Sequence, residues 1–391
     1  MNEESTEVVT GMPDSATLYF GPWYRQSPYF EATRSLGCTG YDIYNHMYLP
    51  SYYDDPVKEY WHLLNAVTIW DVGVERQVEI TGPDAFAFTN MLTPRDLSTC
   101  AVWQCKYVLL TDEDGGILND PVLLRLGENH FWLSAADADI LLWAKGVAVH
   151  AGMDVEIREP DVSPLQVQGP RSGEVITALF GEEVAALRYY YCTEADLDGI
   201  PVVVSRTGWT GEVGYEIYLR DASRGEELWK RVMDAGRPFD IRPIAPCEAR
   251  RIEAGIFNYG SDMTLENNPF EVTGLERLVE FDGSTFIGST ALERISREGV
   301  RRKLVGVELS GQPLSSENAV PWPVVVDGSV VGRVTAAIHS PRLDHNIGYA
   351  WVPIELASMG TEVRVEGPTG ALTARVSPLP FWDPKKETPK G

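Results

Sequence analysis

A chain of 391 residues is long enough to divide into two or three domains, because single hydrophobic cores stop growing beyond about 250 residues. Its 57 Asp and Glu against 33 Lys and Arg make it strongly acidic, which excludes general nucleic-acid binding through a basic surface, while 44% hydrophobic and 10% aromatic content mark an ordinary globular protein. No apolar run approaches the about 18 residues of a membrane span, and the acidic start "MNEESTEVVTGMPDS" lacks the features of a signal peptide, so a soluble, cytoplasmic protein without a membrane partner is expected.

The first 15 residues read as a disordered tail. From Tyr41, "YDIYNHMYLPSYYDDP" is aromatic and proline-punctuated, which predicts an ordered loop, and "VKEYWHLLNAVTIW" has the apolar spacing of a helix. "QVEITGPDAFAFTNML" predicts strand, turn and helix. "KYVLLTDEDGGILNDPVLLRL" predicts two strands around a hairpin at Gly115 and Gly116, followed by a strand at "HFWLSAA" and an amphipathic helix at "DADILLWAKGVAVHAG". "SPLQVQGPRSGEVITALFG" then repeats the strand, G-P turn and helix of the earlier segment, which points to two related α+β lobes rather than a Rossmann series. No dinucleotide or phosphate-loop fingerprint is present, since Gly208, Gly211 and Gly214 recur every third residue. Beyond Arg301 short β runs predict a small barrel. The expected organisation is two interleaved α+β lobes within 16–300 (approximately 41–160 and 161–300), a C-terminal β-barrel domain over 301–383, and a tail at 384–391.

The five cysteines (Cys38, Cys100, Cys105, Cys192, Cys247) are scattered and never spaced as C-x-x-C, and the six histidines are equally dispersed, so reduced thiols and no metal site are expected. In "SRTGWTGEVGYEIYL" strand alternation puts Glu216 and Tyr218 on one face. A carboxylate there is either solvent-facing or paired with a planar donor pair, for which an arginine fork or the N–H and NH2 edge of a pterin would serve. Asp120 in "GGILNDPVLL" is either a turn residue or a carboxylate at a pocket rim. Trp209 and the tyrosines Tyr44, Tyr107, Tyr189, Tyr190 and Tyr218 are either core aromatics or faces for a cation, and His46 in "YNHM" either anchors its loop or catalyses.

"QGPRS", "SRTGWTGEVGYEIYL", "RRIEAGIFNYGSDMTLENNPFEVTGLERLVEFDGSTFIGSTAL" and "VGRVTAAIHSPRLDHNIGYAWV" together resemble the folate-dependent aminomethyltransferase family, whose best-known member is the glycine cleavage T-protein. The resemblance runs from about Tyr41 to Phe381 and implies a three-domain cloverleaf with tetrahydrofolate in a central channel. "YNHMYLP", "EYWHLLNAVTIWDVGVERQVEI", "MLTPRDLS", "SAADADILLWAKG" and "EPDVSPLQVQGP" are more similar to the dimethylsulfoniopropionate demethylase branch. What the resemblance implies is a methyl transfer from a small donor, a sulfonium first, to N5 of tetrahydrofolate. Carried over to this sequence, Asp120 and Tyr218 become catalytic residues, Glu216, Tyr107, Tyr189 and Trp209 bind the cofactor, and Trp209, Tyr44 and His46 face the substrate. T-protein has an aspartate where this chain has Asn119, and "ARD" where it reads Pro246-Cys247-Glu248, so a lipoyl carrier protein is not an expected partner. The alternatives are a T-protein-like aminomethyltransferase, an O- or N-demethylase paralogue, and a non-catalytic folate-binding protein.

Overall fold

The computed structural model describes residues 19–283, 285–368 and 370–391, so the tail expected at 1–15 lies outside the described residues. The aromatic segment expected as a loop is a β-hairpin, Gly40–Tyr44 against Met47–Tyr52. Asn45 and His46 both take positive φ (48 and 60) between flanks rich in tyrosine, which is the two-residue turn that matches strand twist.

The helix expected over "VKEYWHLLNAVTIW" covers only Pro56–Asn65. It starts where Asp55 accepts hydrogen bonds from the backbone N–H groups of Val57 and Lys58, with proline at the first turn. The rest of the apolar run becomes the strand Val67–Asp71, buried at every position. Val67, Thr68 and Ile69 are β-branched, and burial on both faces requires a continuous apolar run rather than alternation.

Two sheets form the body. One has five strands in the order Glu156–Arg158, Gln77–Thr81, His130–Ser134, Val122–Gly127, Cys105–Tyr107, and the helices Ala85–Leu92 and Ile140–Ala151 share its core. The other has six, in the order Cys192–Leu197, Ile200–Ser205, Gly214–Leu219, Ser163–Gln168, Val67–Asp71, Ile241–Pro243, with Ser172–Phe180 and Gly225–Gly236 packed on it. The strand Val67–Asp71 therefore crosses from the first half of the chain into the second sheet, and a cut near residue 160 would split that sheet. The two G-P turns are equivalent. A Cβ on Gly82 (φ 117) would lie 2.6 Å from the carbonyl oxygen of Asp154, and one on Gly169 (φ 123) 2.6 Å from that of Ala66. Each glycine admits a neighbouring backbone that any side chain would displace.

A closed barrel of six strands follows, within Arg302–Ser377. The segment 384–391, expected as a tail, folds back onto the body. Asp383 accepts from the N–H groups of Glu387 (2.9 Å) and Thr388 (2.7 Å), Pro389 is buried, and Arg206 Nη2 donates to the Pro389 carbonyl at 3.3 Å.

Candidate active site

The two sheets face each other. At one end the gap is filled by Cys105, Leu124, Trp132, Val203 and Tyr218, drawn from both sheets. Elsewhere it opens into a channel of about 1870 Å³, bounded also by the N-terminal hairpin, the barrel and the C-terminal segment.

On the six-stranded sheet a row of side chains reaches the channel, where its members Trp70 and Gln166 form part of the lining. Register places Trp70, Gln166, Glu216 and Ser205 side by side on four adjacent strands. Their chain neighbours Leu165, Val167, Tyr215 and Ile217 point the other way, into the helix-covered core, so alternation turns the row toward the opposite sheet. Glu216 is 3% exposed. Its Oε1 accepts from Gln166 Nε2 at 2.7 Å, and its Oε2 accepts from Thr207 Oγ1 at 2.5 Å, Tyr218 OH at 2.8 Å and Ser205 Oγ at 3.4 Å. Burial raises its pKa, and the bonds from Thr207, Tyr218, Gln166 and Ser205 work against that rise. Gln166 lines the channel, and its own Oε1 is buried without a hydrogen-bond partner among the described residues. An acceptor left in that state costs about 1–3 kcal/mol.

The opposite wall is made of half-buried acids and phenols with few partners. Asp120 follows the short strand Ile117–Asn119, and its Oδ2 accepts from Tyr107 OH at 2.9 Å. Burial pushes the Asp120 carboxyl up to about 7, with the Tyr107 bond pulling the other way. Glu75 lines the same channel, accepts from Ser134 Oγ at 3.0 Å, and is pushed up to about 8 by burial and then by the charges of Glu216 and Asp120. Burial, followed by the charges of Asp120 and Glu75, raises the Tyr44 phenol well above its ordinary range, which places the three groups in one neighbourhood. Asn119, the neutral neighbour of Asp120, is spent on the backbone of Ala136: it donates from Nδ2 and accepts on Oδ1, both at 3.0 Å. A carboxylate in its place could only accept.

The expected site residues divide accordingly. Tyr44, Tyr107, Asp120, Tyr189 and Trp209 line the channel. Tyr189 meets Tyr190 edge to face at 4.8 Å. Trp209 rests on the cluster of Leu63, Trp70, Val72 and Ile244, and the Arg251 guanidinium lies 5.6 Å from its ring centroid. Tyr218 does not line the channel. It is fully buried beside Glu216, which is likewise absent from the lining, and donates to its Oε2. His46 is corrected outright. Its side chain is 64% exposed on the hairpin turn, 3.6 Å from Asp139, and does not reach the channel. Glu75 and Gln166 were missed by sequence reasoning. The period-two polar pattern of "SPLQVQ" could have found Gln166, whereas Glu75 is one charge among several in "GVERQVE" and has no local signature. The basic residues Arg277, Lys385, Lys386 and Lys390 also line the channel, in a chain otherwise short of positive charge.

The family profile for the GCVT N-terminal domain matches residues 29–283, and the profile for the glycine cleavage T-protein C-terminal barrel domain matches 302–383. The chain belongs to the glycine cleavage T-protein family. Among its relatives, dimethylsulfoniopropionate demethylase DmdA of Ruegeria pomeroyi is 39% identical over 94% of this chain and 100% of that protein. The aminomethyltransferase of Symbiobacterium thermophilum is 32% identical over 85% of this chain and 91% of its own, and that of Bacillus subtilis 31% over 92% and 99%. The structure of glycine cleavage system aminomethyltransferase T from Bartonella henselae shares the fold with a TM-score of 0.83, at 23% identity over 91% of this chain and 98% of that one. Within this family frame, the helix Glu248–Glu253 begins at Cys247, whose thiol burial pushes up to about 12.

Proposed function

We propose that the protein is a tetrahydrofolate-dependent demethylase, a methyltransferase that moves a methyl group from a small donor of the dimethylsulfoniopropionate type to N5 of tetrahydrofolate. The observation that carries this reading is the full-length likeness to dimethylsulfoniopropionate demethylase. The channel chemistry fits the cofactor. The sheet wall offers acceptors, Glu216 and the unpartnered carbonyl of Gln166, to a ligand edge made of N–H donors. Arg277, Lys385, Lys386 and Lys390 suit the carboxylates of its glutamate, and the Lys386 ammonium is destabilised by burial and then by Arg277, a state that an anion would relieve.

When bound, tetrahydrofolate supplies the nitrogen nucleophile, and a sulfonium donor leaves as a neutral thioether. The residues of this chain do the rest. Glu216 orients the pterin edge, with Tyr218, Thr207 and Ser205 holding the carboxylate in place. Tyr107 and Tyr189 pack beside it. Asp120, whose Oδ2 is held by Tyr107, takes up the released proton on Oδ1. A carboxyl held near 7 is matched to that exchange. Tyr44 and Trp209 present aromatic faces to the donor, and exclusion of water with alignment of the two partners supplies the largest rate term. The free thiols belong with a cytoplasmic location in this reading.

The test is anaerobic incubation with tetrahydrofolate and a panel of sulfonium, N-methyl and O-methyl donors, with 5-methyltetrahydrofolate read by mass. Product from a sulfonium alone is expected. Trp209→Leu sharpens the donor class: KM for a sulfonium should rise about fivefold and KM for a neutral methyl ether less, since a cation–π contact shared with Arg251 is worth about 1 kcal/mol. The aminomethyltransferase relatives favour a second reading, under which ammonia and 5,10-methylenetetrahydrofolate form only when a lipoylated carrier protein carrying the aminomethyl group is added.

A further inference from the structure

Gln166 sits in the centre of the sheet wall, 1% exposed, and lines the channel. Its amide has one available orientation. Glu216 accepts only, so the Nε2 of Gln166 must face it, at 2.7 Å, and Oε1 must face the other way. On that side no protein donor remains in the row. Trp70, the cross-strand neighbour of Gln166, spends its only donor, Nε1–H, on Thr68 Oγ1 at 2.8 Å. Thr207 and Tyr218 spend theirs on Glu216 Oε2. Oε1 is thus a buried acceptor whose direction is fixed by a carboxylate and whose partner is missing from the protein.

We infer that Gln166 is a specificity residue for the cofactor, its side-chain carbonyl accepting a hydrogen of the pterin 2-amino group. The inference rests on the tetrahydrofolate reading above and deepens it. A 2-amino group carries two hydrogens. The one beside N3–H forms a parallel donor pair with it, which a carboxylate takes as it takes an arginine fork. The second points away from that pair, and the acceptor adjacent to Glu216 along the row is Gln166. Glu216 then has two tasks, meeting the pterin and holding the Gln166 amide in the orientation that leaves its carbonyl free to accept from the ligand.

Anaerobic calorimetry with tetrahydrofolate and with its 2-desamino-2-methyl analogue tests this without relying on turnover. Gln166→Leu is expected to weaken tetrahydrofolate binding about tenfold, the scale of one buried neutral hydrogen bond, while wild type and variant bind the analogue alike. Gln166→Glu keeps the carbonyl but sets a second carboxyl against Glu216. Its affinity for tetrahydrofolate should fall at about pH 8 and recover at about pH 6, where a shared proton restores the donor. Unchanged affinity in Gln166→Leu, an equal loss for both ligands, or the absence of pH recovery in Gln166→Glu would overturn the assignment. Wild-type protein that fails to bind tetrahydrofolate would remove the cofactor reading itself, and this inference with it.

Discussion

The two walls of the channel carry carboxylates in opposite conditions. On the sheet wall Glu216 is nearly inaccessible and accepts from four side chains, on rigid neighbouring strands. On the other wall Asp120 and Glu75 are only half-buried, and each accepts one side-chain hydrogen bond, from Tyr107 and Ser134 respectively. Burial raises all three pKa values, but only for Glu216 do so many donors oppose it. A carboxylate surrounded by fixed donors is pre-organised to hold a ligand in one pose. One with a single partner and a pKa near neutrality is suited to exchange a proton. In the proposed reaction the wall with more hydrogen bonds would position, and the wall with fewer would react.

The sharpest way to break this division is Asp120→Asn, which keeps the volume and removes the proton acceptor. Single-turnover rates should fall about 100-fold or more, with tetrahydrofolate affinity by calorimetry nearly unchanged. A loss of affinity equal to the loss of rate would put Asp120 on the binding side.

Glu216→Ala should show the reverse pattern. Tetrahydrofolate affinity should drop by roughly 10- to 100-fold, the range of a charge-assisted hydrogen bond of about 1.5–3 kcal/mol. Thermal stability should fall as well, because Thr207, Tyr218 and Gln166 lose a common acceptor. If the rate at saturating cofactor collapsed instead, the sheet wall would have to be assigned to chemistry.

A smaller effect concerns Glu75 and pH. Its folded pKa, about 8, lies above the ordinary value of 4.5, so between these limits the folded protein holds a proton that the unfolded chain has released. Stability from this group is fully present at low pH and is lost as pH rises through that window. Glu75→Gln should therefore raise Tm by roughly 2 °C at about pH 8, and the gain should shrink toward pH 5. A gain that does not depend on pH would mean that the charge of Glu75 is already compensated.

His46→Ala supplies the zero of the scale. With its side chain exposed on the hairpin turn beside Asp139, its removal should leave kcat and KM within about twofold of wild type, as expected of a surface substitution.

What could be read without coordinates was whatever local pattern encodes. Alternation in "GYEIYL" put Glu216 and Tyr218 on one face, and the G-P turns marked the repeated strand-turn-helix units, each at a glycine against which a neighbouring backbone packs. "YDIYNHMY" was misread because prolines nearby outweighed the hairpin potential of an Asn-His turn between β-formers. "VTIW" was misread because an apolar run buried on both faces has no period of its own.

By itself, then, the sequence determined the units: which segments are strands with one polar face, where glycine must sit, and that the short β runs beyond Arg301 form a small barrel. These depend on neighbours a few residues apart, and such neighbours are what a sequence displays. Only the tertiary structure decided how the units meet. It drew Val67–Asp71 into the second sheet, set Gln166 beside Glu216 and Glu75 near Asp120, turned His46 outward, and folded the lysines of 384–391 back onto the channel. Each of these follows from contacts between segments far apart in the chain, where burial and the supply of hydrogen-bond partners, not local preference, set each group's role.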